Sequence, residues 1–337
     1  MEKSILNKSG IKPGFCCFGI TDACMLRCKM CEKWKDDLFT KKDIVLPTID
    51  HWKQCISDLS EMVDFPFELD LGGGEALLYD GLLEVIDYSV KKGFNTSIAT
   101  NAYLIDEEMA KKLNNAGLKV ISISLDSLNE KTHDYLRGVD GVYQRVMNAI
   151  EYLHRHCKGM FINLCCVLYD INQEEIIDLV HWVHKDHRIG YINFMAAMQP
   201  NNTHFEENWW EGQYGYIWPK DPKKTGQIID EIILLKKRGF NIGNPVSQLK
   251  AFKAYYEEPK KFLKKKQCNM DRCVLVSSIG DIFLCYDFDP IGNIKNDRLI
   301  DVWYSEKAQQ VREQIALCSK NCHHLINCFD EFEEDFS

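Results

Sequence analysis

Between residues 15 and 197, six short β-rich runs alternate with five amphipathic helical segments, an order that few folds satisfy. The strand candidates are FCCFGIT (15–21), FELDLGG (67–73), NTSIAT (95–100), LKVISISLD (118–126), MFINLCCVL (160–168) and GYINFMA (190–196). Helical spacing lies between them near 48–63, 80–92, 106–115, 142–156 and 173–186, with Thr48 and Asn172 as N-cap candidates. Such repeats predict a parallel sheet with right-handed crossovers. Periodicity alone leaves two forms open, a partial barrel and an open doubly wound sheet.

After residue 197 the pattern changes. An aromatic, polar stretch, QPNNTHFEENWWEGQYGYIWPKDP, reads as a surface loop with buried aromatic rings, and its place after the last strand also suits a cover over a substrate. Helical spacing follows at 222–238 and 246–266. The tail then predicts short strands at 273–278 and 281–285 joined by Ile279-Gly280, a Gly292-Asn293-Ile294 turn and a helix near 300–316.

Composition narrows the function. A net charge of −9 argues against a broad nucleic-acid surface, and KKFLKKK (260–266) reads as a solvated helix end. No apolar run approaches the ~20 residues of a membrane span, and MEKSILNKSG has no signal-peptide core. We therefore expect a cytoplasmic protein. Fifteen cysteines in such a chain point to metal or redox chemistry rather than disulfides. Three of them lie at 24–31 and six at 268–328, which suggests two metal sites.

Cys24-x3-Cys28-x2-Cys31 follows directly on the first strand. Three thiolates on one loop can hold three irons of a cubane and leave the fourth open to a small molecule, whereas most clusters take four cysteines. A zinc loop would want a second cysteine pair or histidines close by, and none is near. Three buried free cysteines would not need this tight spacing.

The segment resembles the C-x3-C-x2-C signature of the radical S-adenosylmethionine (SAM) superfamily, and further stations match in order over about 180 residues. Gly73-Gly74-Glu75 is similar to the family's GGE motif, which holds the SAM amino group, and Thr100-Asn101 stands where the family often has Thr-Asn-Gly. Ser122, Ser124 and Asp126 share one face of the fourth strand, which argues for a wet interior. By resemblance, Gly73, Gly74, Glu75, Asn101, Ser124, Asp126 and Arg137 form the SAM site, with Ser124 and Arg137 on its carboxylate. The plainer alternative for Arg137 is a surface salt bridge. Met30, Ala76 and Ala102 depart from the commonest family residues and leave the thiols and the carboxylate intact. The fold implied is α/β, a partial (β/α)6 barrel of parallel strands with a small cysteine-rich α+β extension. The implied divisions are a core at 1–197, a connecting segment at 198–266 and an extension at 267–337.

Cys268-x4-Cys273-x11-Cys285 and Cys318-x3-Cys322-x5-Cys328 resemble the SPASM or twitch extensions that carry auxiliary 4Fe-4S clusters. The match is partial: Glu331 follows Cys328 and no later cysteine does. Six thiols cannot fill two four-ligand clusters, so one closed cluster or two with an open iron remain. A zinc site using His323 or His324 is the alternative. The resemblance implies SAM, a 4Fe-4S cluster at Cys24, Cys28 and Cys31, and one or two auxiliary clusters. It also implies reductive SAM cleavage, a flavodoxin- or ferredoxin-like reductase, and either a peptide or a small molecule such as a tetrapyrrole or aminocyclitol as substrate. Only 23 residues precede Cys24, which weakens a leader-binding peptide maturase. Cys165 and Cys166 must point to opposite faces of the fifth strand, so one is a candidate hydrogen donor and both suit simple packing. A non-catalytic iron–sulfur carrier or a zinc-stabilised binding protein would not need the Gly72–Glu75 station or the inward serines.

Overall fold

The computed structural model describes residues 10–35, 45–200, 203–204, 206–261, 268–320 and 325–328, with side chains 325 and 328 left out. Strands β1 (Phe15–Thr21), β2 (Glu68–Gly73), β3 (Asn95–Thr100), β4 (Val120–Ser124), β5 (Phe161–Leu168) and β6 (Tyr191–Ala196) pair in parallel in chain order. Between them run α1 (Ile49–Met62), α2 (Leu82–Lys91), α3 (Glu107–Asn115), α4 (Glu130–Arg137), α5 (Val142–His156) and α6 (Ile176–Lys185). This is the expected partial barrel. Sequence periodicity passed over α4, whose eight residues are too few to establish a helical repeat.

Burial alternates along much of β2 to β6. Phe18, Leu71, Ile98, Ile121, Ile123, Leu164 and Ile192 are fully buried in the sheet–helix core. Their neighbours Cys17, Asp70, Ser97, Ser122, Ser124, Cys165 and Asn193 face the other way and are only half-buried, while Ala99 is exposed although β3 is a central strand. A sheet buried on both faces would read as a continuous apolar run. Here the polar set lines a lumen that solvent reaches.

Thr48 caps α1 as its side chain predicts, accepting from the His51 amide. Asn172 does not cap. Its fully buried amide donates to the carbonyls of Asp126 and Val167 and accepts from the Tyr169 amide, so it ties the ends of β4 and β5 together.

Helices α7 (Pro222–Lys237) and α8 (Val246–Glu257) follow. Tyr255 and Tyr256 of α8 are fully buried; their hydroxyls bond the Ala197 and Leu168 carbonyls at 3.0 and 2.7 Å, which fixes the ends of β5 and β6. Trp209 and Trp218 pack on one another at 5.4 Å, and Trp218 on both tyrosines at 5.0 Å, so the aromatic stretch is anchored to the barrel rim.

The tail extends the same sheet. β7 (Cys273–Val276) pairs in parallel with β1, and β8 (Asp281–Phe283) and β9 (Gly292–Asn293) continue antiparallel. The expected turn at 292–294 is therefore partly a short strand. The expected single helix breaks into α9 (Leu299–Trp303) and α10 (Glu306–Ala316), because Ser305 opens a new N-cap. At the far edge, Asn327 in α11 (Leu325–Cys328) makes two bonds to the Ala196 backbone at the end of β6. The two flanks of the open barrel are thus both held by tail residues. Of the basic run at 260–266, residues 262–266 lie outside the described residues, as do Cys322, His323, His324 and Glu331.

Truncation at the two faces should differ in cost. Ile123→Ala, on the core face, is expected to cost about 2–5 kcal/mol, and Ser122→Ala, on the lumen face, less than about 0.5 kcal/mol. Urea unfolding of both variants measures the difference.

Candidate active site

The loop after β1 carries Cys24, Cys28 and Cys31, and its backbone is bonded on two sides. The Gly74 and Glu75 amides donate to the Thr21 and Ala23 carbonyls, both at 2.7 Å. A Cβ on Gly73 would lie 2.1 Å from the Thr21 oxygen, and one on Gly74 would lie 2.3 Å from the Ala23 oxygen. Gly73 also sits at φ +123°, which an L side chain rarely adopts. Both glycines are therefore required for the loop to lie against β2. On the other side, the Arg27 and Lys29 amides donate to the Arg137 and Leu136 carbonyls at 3.1 and 2.9 Å. Gly138, in the left-handed C-cap of α4, leaves room for the Arg27 carbonyl.

Side chains complete the clamp. Asp22 pairs with Lys33 at 2.9 Å and accepts from Ser278 in the tail, and the Trp34 indole donates to the Cys31 carbonyl at 2.7 Å. Tyr216, from the aromatic segment, donates to the Lys29 carbonyl at 2.6 Å. The segment after β6 thus reaches over the cysteine loop. None of Asp22, Trp34 or Tyr216 carries a sequence motif, so only folding reveals them.

The SAM candidates gather at the same strand ends. Glu75 is fully buried, and its carboxylate accepts from Thr100 Oγ1 at 2.7 Å and the Asn101 amide at 2.8 Å, binding β2 to β3. Asn101 Nδ2 lies 3.8 Å from Cys24 Sγ and 3.6 Å from Met25 Sδ. Arg137 is buried and pairs with Asp126 at 2.8 Å, so it is no surface salt bridge. Asp126 also accepts from the Val167 amide at 3.1 Å, and its own amide donates to His133 Nδ1 at 3.2 Å. Burial, then the Arg137 charge, depress His133 to about 3, which keeps it a neutral acceptor there. Burial works against charge on Arg137, but Asp126, with Cys28, Tyr169 and Cys165 around it, lifts its pKa above the ordinary value. Ser124 lies half-buried on the lumen face of β4.

Burial pushes the Cys24 thiol up to about 11 and raises Cys28 too, with Arg137 opposing the latter. Metal binding at Cys24 and Cys28 would displace their protons. The surroundings fit such a group. The donor set is three thiols, and beside Cys28 the buried Arg137 Nε and Tyr169 hydroxyl have no hydrogen-bond partner. Among the described residues no three His, Cys, Asp or Glu converge as ligands of one ion do. Cluster thiolates each bind a different iron and stand further apart.

In the tail, the β7–β8 register pairs Leu275 with Phe283 and Val276 with Ile282, which continued outward sets Cys273 opposite Cys285. Cys268 precedes the turn Asn269–Arg272, against which α10 packs, and Arg312 of α10 donates to the Asp271 carbonyl at 3.2 Å. Cys318, just past α10, is exposed. Cys328 ends α11 at the β6 flank, away from the β7–β8 hairpin in the sheet order, and Cys322 lies outside the described residues. The cysteines of β5 part as alternation requires: Cys165 faces the lumen and Cys166 is fully buried in the core.

The radical SAM superfamily model matches residues 18–183, and an iron–sulfur cluster-binding SPASM domain matches 268–328. The chain belongs to the radical SAM superfamily. As a radical SAM enzyme with a SPASM domain it takes SAM and 4Fe-4S clusters as cofactors. It is 27% identical over 143 residues to the AdoMet-dependent heme synthase of Methanosarcina barkeri, covering 42% of this chain and 40% of that one. It is 28% identical over 197 residues to the GTP 3′,8-cyclase of Aliarcobacter butzleri, covering 57% and 58%. With the subtilosin biosynthesis protein AlbA of Bacillus subtilis it shares 27% identity over 49% of this chain and 36% of that protein. The matches thus span less than two thirds of these relatives. Among solved structures, Streptococcus suis SuiB superposes with a TM-score of 0.66 at 18% identity, over 90% of this chain and 68% of SuiB. The SAM-bound anSMEcpe does so at 0.66 and 18%, over 94% and 85%. These likenesses concern the fold. Among the described residues no helix of this radical SAM enzyme is long and apolar enough to cross a membrane.

Two neighbouring glycines give a direct test of the clamp. Gly74→Ala should lower the iron retained after anaerobic reconstitution to less than about half of wild type, since a Cβ there enters the Ala23 carbonyl. Gly72→Ala, whose Cβ meets nothing within 4 Å, should retain wild-type iron. Equal losses would refute the clamp.

Proposed function

We propose that this radical SAM enzyme modifies a peptide held in the barrel lumen. Cys24, Cys28 and Cys31 would hold the SAM-binding 4Fe-4S cluster, which would supply the electron that splits SAM into methionine and a 5′-deoxyadenosyl radical able to take a hydrogen atom from the substrate. The observation that carries this reading is the cysteine loop clamped between Gly73-Gly74 and α4, with unpartnered Arg137 and Tyr169 atoms beside Cys28.

Each residue then has a task. Arg137 and Ser124 take the SAM carboxylate, and Asp126, ion-paired with Arg137 at 2.8 Å, orients it. Gly73 and Gly74 let the ligand approach the strand end, while Glu75 holds Asn101 beside Cys24. The aromatic segment reaches the cysteine loop through the Tyr216 contact. Cys165 is the hydrogen-donor candidate, and the buried position of Cys166 removes it from that role. Cys268, Cys273 and Cys285 would hold an auxiliary cluster that accepts an electron from the substrate or ligates it. A flavodoxin- or ferredoxin-like reductase would supply the first electron. Peptide substrates are supported by the fold shared with SuiB, solved with its precursor peptide SuiA, and with anSMEcpe, solved with the Cp18Cys peptide. Those folds span the tail of this chain as well as its barrel.

Iron and sulfide counting, with reduced-state EPR, tests the cluster assignment. About eight irons per chain should fall to about four in the Cys24→Ala, Cys28→Ala, Cys31→Ala triple variant. SAM cleavage to 5′-deoxyadenosine under dithionite should fall to background. A triple variant that loses no iron, or wild type that cleaves no SAM, would overturn the assignment.

A further inference from the structure

Asp70 is a charged lumen side chain that the proposed reaction does not use. Asp70 lies three residues before Gly73 on β2, about 10 Å below the cofactor end of the strand. Its Cα partners on either side are Cys17 of β1 and Ser97 of β3, so the three side chains meet at one level of the inner face. Ser97 Oγ donates to Asp70 Oδ1 at 2.9 Å, and Cys17 Sγ lies 3.8 Å from Oδ2. Space opens directly above: a Cβ on Gly72, the next inward position, would meet nothing within 4 Å, and Ala99 on β3 is exposed. Across the lumen, Cys165 of β5 is within electrostatic reach of Asp70. Near it on the same strand face, the buried Asn163 Oδ1 acceptor has no hydrogen-bond partner, its residue being 2% exposed.

The charge balance of this lumen is one-sided. The inward positions of the six parallel strands carry two carboxylates, Glu68 and Asp70, and no lysine, arginine or histidine. Arg137 stands at the mouth, already paired with Asp126. Burial raises the Asp70 pKa, with only the Ser97 and Cys17 hydrogen bonds opposing it. A carboxylate so placed is stabilised by a cation that arrives with a ligand. Ser97 and Cys17 each take up one acceptor position of the carboxylate, which leaves a lone pair on each oxygen for an arriving donor. A compact ammonium needs only one oxygen and can share its remaining protons with neighbouring acceptors.

We propose that Asp70, with Cys17 and Ser97, is the anchor for an alkylammonium group of the substrate at the floor of the lumen. The assignment rests on the lumen being the substrate cavity of the proposed reaction, but its charge selectivity is measurable without turnover. Asp70 is a positioning residue: it holds one end of the substrate while the hydrogen to be removed lies above it, toward the cysteine loop.

Cys17 provides the probe. Cluster-reconstituted protein is treated with the trimethylammonium-ethyl and the sulfonato-ethyl methanethiosulfonates, and modification of Cys17 is timed by peptide mass spectrometry. The ratio of cationic to anionic rates at Cys17 should fall about tenfold in Asp70→Asn and stay near wild type in Asp70→Glu. At the exposed Cys318 neither substitution should change the ratio. Iron content per chain, counted in parallel, confirms that the variants remain folded and loaded. An unchanged ratio at Cys17 in Asp70→Asn, or no reaction of Cys17 with either reagent, would overturn the proposal. Loss of SAM cleavage in the wild type with the charge selectivity intact would instead refute the reaction and leave the cation site standing.

Discussion

The arrangement depends on a backbone contact that tolerates no side chain. The loop bearing Cys24, Cys28 and Cys31 lies on β2 because its Thr21 and Ala23 carbonyls occupy the space where β-carbons of residues 73 and 74 would be. With that contact made, the other partners of the loop follow: α4 takes the Arg27 and Lys29 amides, and the tail reaches Asp22 through Ser278. A cluster loop must hold three thiols in place before metal arrives, and short hydrogen bonds to rigid elements do this better than side-chain packing.

The sheet divides its labour by face. Outward residues are mostly apolar and buried under the helices, which supplies the stability. The inward residues can then be small, polar or charged, since the core does not depend on them. The open lumen, its exposed Ala99 and its uncompensated Asp70 are affordable for that reason. The buried Asp126–Arg137 pair sits at the border of the two regions. Removing one partner of such a pair leaves a buried charge unpaired, at a cost of about 3–5 kcal/mol. It is better understood as a device for holding Arg137 beside Cys28 than as a source of stability.

The tail closes what the barrel leaves open. β7 extends the β1 edge and Asn327 bonds the β6 edge, so both unpaired flanks of a six-stranded partial barrel find partners in the last quarter of the chain. Arg298 of the tail pairs with the buried Asp58 of α1 at 2.6 Å, adding a link to the outer layer. The same extension carries Cys273 and Cys285, so the auxiliary thiols are positioned by the sheet that positions the lumen.

What the sequence by itself determined was local. Strand and helix order, the Thr48 cap, the inward serines and the cysteine loop with its glycines are written in periodicity and motif, because each depends on residues a few positions apart. Contacts between distant residues were decided by the tertiary structure. Asn172 has the residue type of a cap, yet it joins two strand ends because Asp126 and Val167 offer buried carbonyls within reach. Short α4 fell below the length at which a helical period can be recognised, although its C-terminus holds the cysteine loop. Cys17, Asp70 and Ser97 are 27 to 80 residues apart and form no motif; parallel register alone brings them to one level. A hydrophobic period tells which face a residue takes, and only the pairing of strands tells what it will meet there.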